Sequence, residues 1–256
     1  MSWSGFKKKI DRTGTKISQK IGTIEKTVDK NFEEEERRFK SLESKSEKLH
    51  KEAKGYITSL RAMNGAQLRI AETIHQFYED SIDNEYAGKK YKEAISDLEQ
   101  KCRSELEEPY GQTVTQPIGR FCAYFPHIND AIKKREKKLL DYDSQRAKVR
   151  KLVDKPSDDP SKLTRAEEVS NMARELYESL NSQLITELPR LIDLRVPYLD
   201  PTFEALVKIQ LKFCQESYDS LSPLQDYFPP NESAPVDSRV DEVLQKMKDL
   251  AICGMG

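Results

Sequence analysis

The chain has 256 residues, with 43 Lys+Arg against 44 Asp+Glu for a formal net charge of −1, so it is no polycation. Charged residues make up 34% and hydrophobic residues only 36%, too polar a mixture for one thick globular core. Its 10 Gly and 12 Pro are too few for a loop-rich all-β protein, and mixed-sign charge with periodic apolar residues points to long helices sharing a narrow seam rather than to disorder. The longest apolar run is five residues, Phe121 to Phe125, whereas a membrane span needs about 20. The N-terminus lacks the apolar stretch of a secretory signal, so Cys102, Cys122, Cys214 and Cys253 are expected to be reduced thiols of a cytosolic protein.

Residues 1–26 form the first element. On a helix Trp3, Phe6, Ile10, Ile17, Ile21 and Ile24 fall within roughly 60° of arc, while Lys8, Lys9, Arg12, Lys16 and Lys20 lie elsewhere. Seven Lys/Arg face Asp11 and Glu25, a local charge of +5. Gly5, Gly14 and Gly22 each cost about 1 kcal/mol of helix propensity. The pattern is that of a helix that forms in a bilayer interface, with Trp3, Phe6, Ile10, Ile17 and Ile21 inserting among acyl chains and the lysines among anionic headgroups. The alternative is a frayed end packed on its own domain.

The next element runs from about 30 to 82. Its 3/4-spaced positions, Phe39 through Leu42, Leu49, Tyr56, Leu60, Met63 and Ile70 to Phe77, sustain a seven-residue repeat and predict a helix on the order of 75 Å long, closed by Asn84 to Gly88. Leu42, Leu49, Tyr56, Leu60, Met63, Ile70 and Phe77 are the expected dimer seam, since a rod this poor in apolar residues completes its core by pairing.

From about 89 to 153 a second helix carries Ile118, Phe121, Phe125, Ile128, Ile132, Leu139, Tyr142, Val149 and Val153 in register, with kinks or a break expected at Pro109, Pro117 and Pro126. Residues 133–151 hold nine Lys/Arg against Glu136, Asp141 and Asp143, a net +6. The cluster Lys133, Lys134, Arg135, Lys137 and Lys138 suits anionic lipid, at about 1 kcal/mol per basic residue near the surface. Nucleic acid is not expected, because stacking aromatics and a reading motif are missing. Asp154 to Ser161, with two prolines, is a loop. The third helix starts near Lys162 and runs through Leu163, Tyr177, Leu184 and Leu191. It is expected to bend or break at Pro189, Pro197 and Pro201, and to stop before Pro229. A short amphipathic tail carries Val240, Leu244, Met247 and Ala251.

No catalytic pattern accompanies these helices. Gly88-Lys89-Lys90 lacks the earlier glycine and the Ser/Thr of a phosphate loop. His50, His75 and His127 are dispersed, and His75 with Glu79 does not make a metal site. The chain is therefore expected to be no enzyme and to need no cofactor or metal. Cys253-Gly-Met-Gly256 sits where a prenylation box would, but its final Gly suits that box badly.

Phe125-Pro-His-Ile-Asn-Asp-Ala-Ile-Lys-Lys-Arg135, followed by Lys138-Leu-Leu-Asp-Tyr-Asp-Ser-Gln-Arg146, resembles the second helix of amphiphysin-type N-BAR domains. Glu187-Leu-Pro189 and Arg195-Val-Pro-Tyr198 with Thr202-Phe203 resemble their third helix. Trp3-x-x-Phe6-Lys7-Lys8 and Asp29 to Arg38 resemble the family's short fungal, reduced-viability-upon-starvation members. The resemblance implies an all-α fold, a long kinked three-helix antiparallel coiled coil forming a crescent-shaped dimer. Residues 1–26 would be the inserting helix, 27–230 the BAR domain and 231–256 a tail. Lys133, Lys134, Arg135, Lys137 and Lys138 would line the concave face, with Lys155, Lys162 and Arg165 at the tip. It further implies a homodimer, or a heterodimer with a longer BAR protein carrying the Src-homology-three domain that this sequence lacks. Action on anionic membrane with actin-associated endocytic proteins, at the plasma membrane and cortical actin patches, in endocytosis, cortical actin organisation and cell fusion, would follow. A cytosolic coiled-coil scaffold that binds proteins and not lipid fits the heptads equally. It leaves the N-terminal arc and the Lys133–Lys138 cluster unexplained.

Overall fold

The computed structural model describes residues 3–79, 85–227 and 236–250, without the side chains of 3–7, 85–86 and 236–237. Every regular element among them is helical: α1 Trp3–Lys20, α2 Lys30–Tyr78, α3 Glu85–Lys101, α4 Glu108–Tyr110, α5 Gln116–Cys122, α6 Phe125–Asp154, α7 Ser161–Leu221 and α8 Val236–Lys248. Two π-helical turns, Cys102–Glu107 and Gly111–Thr115, flank α4, and a 3₁₀ turn, Ser222–Tyr227, follows α7.

The boundaries have local causes. Gly22 takes φ +80°, and Thr23 N–H and Gly22 N–H reach back to the carbonyls of Ser18 and Gln19 at 2.9 and 3.2 Å. This is the left-handed glycine cap that closes a helix. Asp29 caps α2 by accepting the Phe32 N–H at 3.0 Å, and Asp159 starts α7 by accepting from the Ser161 N–H at 3.0 Å and its hydroxyl at 2.7 Å. Pro109 has no N–H to give, and its ring crowds the carbonyl four residues back; the widened π turns on either side relieve both. At Pro126 the helix breaks outright, and α6 restarts with the proline in its first turn, where the missing N–H costs nothing.

Two sequence expectations need correction. The break allowed for at Pro189, Pro197 and Pro201 does not occur, and all three lie inside an unbroken α7. Flanking contacts hold the helix there: Leu188 and Ile192 are buried, and Tyr198 stacks on Phe121 with centroids 5.2 Å apart. Gly88, expected in a turn, is inside α3. A Cβ there would come within 3.0 Å of the Tyr78 ring, so the bare backbone lets α3 pack on the end of α2.

The contacts gather in two compact units, residues 1–55 with 111–206 and residues 56–110 with 207–256. In the first, Phe32, Phe39 and Leu42 of α2, Phe121 of α5, Phe125 and Ile132 of α6, and Leu184, Leu188 and Ile192 of α7 form one core. Phe125 meets Phe39 and Phe121 edge-on at 5.8 and 5.2 Å. Arg135 sits on Phe32 while Phe125 sits on Phe39, so α2 and α6 run antiparallel. Tyr142 stacks on Tyr177 and Arg135 donates to Asn181, so α6 and α7 do as well. In the second unit Leu98, Cys102 and Leu106 pack against Ile209 and Phe213. Tyr56 faces Tyr110 at 5.6 Å, and Arg61–Glu107 and Lys212–Glu105 pair at 2.7 and 2.6 Å.

Candidate functional site

Ile132, Leu139 and Leu140 are buried and set the rotation of α6 about its axis. Lys133, Lys134 and Lys137 are thereby exposed and Lys138 half-exposed, spread over about 140° of helix surface. Lys133 makes one long contact, 3.4 Å to Asp130. The other three make no ion pair among the described residues.

Arg135 departs from the expected set. It is 6% exposed, donates from Nε to Asn181 Oδ1 at 2.8 Å and from Nη2 to the Tyr177 hydroxyl at 3.1 Å, and lies 3.7 Å from the Phe32 ring centroid. Asn181 in turn donates to Asp29 Oδ2 at 2.6 Å. Arg135 therefore joins α2, α6 and α7 from inside and does not offer its charge at the surface; a desolvated guanidinium with these partners has no reason to leave them.

Alongside the lysines lies α1. Arg12 grips Asp141, Lys16 pairs with Glu136 at 2.6 Å, and Gln19 donates to Asp143 at 2.8 Å. Asp143, fully buried, also accepts the Thr27 N–H at 3.2 Å and hydroxyl at 2.6 Å. The polar side of α1 thus docks on α6, and Ile10, Ile17 and Ile21 remain 56%, 53% and 74% exposed. Two consequences are electrostatic. Lys16 neutralises Glu136, the one acid between Lys133 and Lys138, and Arg12 and Lys16, expected among headgroups, are already partnered. The side chains of Trp3 and Phe6 lie outside the described residues, as does Cys253.

In the loop between α6 and α7 and the first turn of α7, Lys155, Lys162 and Arg165 are exposed; Lys162 Nζ reaches Ser157 Oγ at 3.2 Å. The expected seam residues divide. Leu42 and Leu60 are buried within their own units, Tyr56 is half-buried, and Leu49, Met63, Ile70 and Phe77 are exposed. In the second unit Met63, Ile70 and Phe77 follow one another at seven-residue spacing, and α7 adds exposed Val207, Leu211 and Tyr218. Among the described residues no three His, Cys, Asp or Glu converge as a metal group, and no helix is long and apolar enough to cross a membrane.

A family model described as the BAR domain matches residues 6–228. Protein hob3 of Schizosaccharomyces pombe is 52% identical over all of this chain and 98% of its own length. The regulator of cytoskeleton and endocytosis RVS161 of Candida albicans is 44% identical, with both chains covered in full. Among solved structures, the amphiphysin BAR domain from Drosophila superposes with a TM-score of 0.61 at 26% identity, over 79% of this chain and 94% of that one.

Proposed function

The chain belongs to the BAR domain family, and from that premise we propose that it is a membrane-curvature sensing and generating protein of endocytosis and cortical actin organisation. It binds anionic lipid through Lys133, Lys134, Lys137 and Lys138, assisted by the N-terminal helix and by Lys155, Lys162 and Arg165. The observation that carries the proposal is the pairing of outward lysines on α6 with an adjacent α1 whose isoleucines face away from the protein. Each lysine near an anionic surface contributes about 1 kcal/mol, and Ile10, Ile17 and Ile21 enter the acyl boundary of the same leaflet. A charged surface of fixed shape touches more of a bilayer that matches it, so binding energy becomes a preference for curvature. The similarity to the Candida regulator supports the endocytic and cytoskeletal setting.

The exposed stripe of Met63, Ile70 and Phe77 with Val207, Leu211 and Tyr218 is the proposed dimer seam, covered by a second copy or by a longer BAR chain carrying a Src-homology-three domain. Residues 1–26, helical over Trp3–Lys20, serve as the inserting segment, 27–230 as the BAR domain and 231–256 as the tail.

Cosedimentation with phosphatidylserine vesicles of graded diameter tests the reading. The expected result is binding that favours one size class, weakens with salt over a Debye length of about 8 Å at physiological ionic strength, and collapses when the four lysines become Glu. No vesicle binding by the wild type would leave the protein-binding scaffold as the function.

A further inference from the structure

The distal half of the basic stretch on α6 is not used by the lysine surface. Arg146, Arg150 and Lys151 converge there with Lys26, from the segment between α1 and α2, around a cavity of about 730 Å³, within the roughly 300–1,000 Å³ usual for small-ligand pockets. Lys26 and Lys151 make no ion pair among the described residues. The carboxylates on this cavity are Glu25, Asp143 and Asp154. Asp143 is spent on Thr27 and Gln19, with Arg146 3.6 Å away. Glu25 holds the two arginines loosely, its Oε2 3.9 Å from Arg146 Nη2 and 3.5 Å from Arg150 Nη1, while its side chain is 70% exposed. The short bond is to the backbone instead: Arg146 Nη2 donates to the Glu25 carbonyl at 2.8 Å.

We propose that this cavity is a site for a phosphate-bearing group, an inositol phosphate in solution or as a lipid headgroup, and that the Glu25 side chain occupies the place of that phosphate. A phosphate monoester carries up to twice the charge of a carboxylate and three acceptor oxygens, and guanidinium forks bind such oxygens two at a time. Loose, solvent-exposed pairs such as those of Glu25 cost little to break. With Glu25 turned out, Asp143 and Asp154 remain against four cations, Asp143 lying 3.6 Å from Arg146, so the cavity keeps two cations in excess. The lipid source rests on the membrane reading above; the soluble source does not.

The test is calorimetric titration of the full chain with inositol 1,4,5-trisphosphate, beside cosedimentation with vesicles containing phosphatidylinositol bisphosphate or, at equal total charge, phosphatidylserine. Arg150→Gln with Lys151→Gln alters exposed residues, and circular dichroism checks that the fold is kept. The expected results are saturable binding weakened more than tenfold in that variant, tightened several-fold by Glu25→Gln, and unchanged for the soluble ligand when Lys133, Lys134, Lys137 and Lys138 become Glu. Binding to the phosphoinositide vesicles alone, with the same response to the variants, assigns the site to the lipid headgroup. The proposal is overturned if the wild type binds neither phosphoinositol probe, if the Arg150/Lys151 variant binds like wild type, if Glu25→Gln binds no more tightly than wild type, or if the four-lysine variant loses the soluble ligand. Failure on phosphatidylserine vesicles alone bears on the membrane reading and leaves the site standing.

Discussion

Arg12 of α1 and Asp141 of α6 meet through two parallel hydrogen bonds, Nε to Oδ1 at 2.8 Å and Nη2 to Oδ2 at 2.7 Å. The fork matches the carboxylate atom for atom, which a lysine ammonium cannot do, and the hydrogen bond to Asp141 raises the Arg12 guanidinium above its ordinary value. This pair holds the amphipathic helix polar side down on α6. Arg12→Lys keeps the charge and loses the fork, so amide exchange within α1 should speed up about fivefold, near 1 kcal/mol, the upper end for surface pairs, as suits a part-buried one. Exchange in α6 should stay as it was. Equal protection of α1 in both proteins would show that other contacts hold it.

The basic cluster separates into two behaviours. Arg135→Ala leaves Asp29, Asn181 and Tyr177 without the cation they surround, and should cost about 3–5 kcal/mol in a denaturant melt. Lys134→Ala, on an exposed side chain, should stay within about 0.5 kcal/mol of wild type yet weaken vesicle binding. Equal stability of the two variants would contradict the interior role of Arg135.

Acid should destabilise the fold through named groups. Burial pushes the Asp29 carboxyl up, but hydrogen bonds from the Phe32 amide and Asn181 and the field of Arg135 outweigh it, leaving Asp29 below its ordinary 3.8. Burial likewise raises Glu43, and bonds from Lys40 and Asn129 bring it below 4.5. Carboxyls depressed in the folded state stabilise it above their unfolded values, and that contribution disappears as pH falls through the lower folded values. His50, lowered by burial and then by Lys54, has the same sign, starting as pH drops below 6.5. Melting temperature should therefore begin to fall below pH 6.5 and fall further below 4.5. Asp29→Asn should flatten the part below 3.8; an unchanged slope there would remove Asp29 from the account.

The divided seam predicts divided outcomes. Leu60 is 7% exposed and Phe77 is 81% exposed. Leu60→Asp buries an unpaired carboxylate and should unfold its unit. Phe77→Asp should leave helicity intact while shifting sedimentation from dimer to monomer. A compact wild-type monomer at micromolar concentration would end the idea of a seam.

Much of this was legible in the residues alone, where the cause is local. The heptads of α2, the apolar arc of α1, the Asp154–Ser161 loop and the break at Pro126 all depend on neighbours a few positions away, because helical spacing and proline chemistry act within a turn or two. The family resemblance rested on such short stretches as well. What periodicity could not decide is which partner a helix face meets. Leu42 and Leu60 belong to the same stripe as Met63 and Phe77, yet only packing against other elements buries the first two. Arg135 reads as one more cation in a basic run until Asn181 and Tyr177, 46 and 42 residues further on, enclose it. The docking of α1 rests on acids 120 to 129 residues away, and α7 stays whole through three prolines because Leu188, Ile192 and Tyr198 are held by its neighbours. Local spacing determined the helices. The desolvation and pairing of individual side chains, set by residues distant in sequence, determined which charges reach the surface.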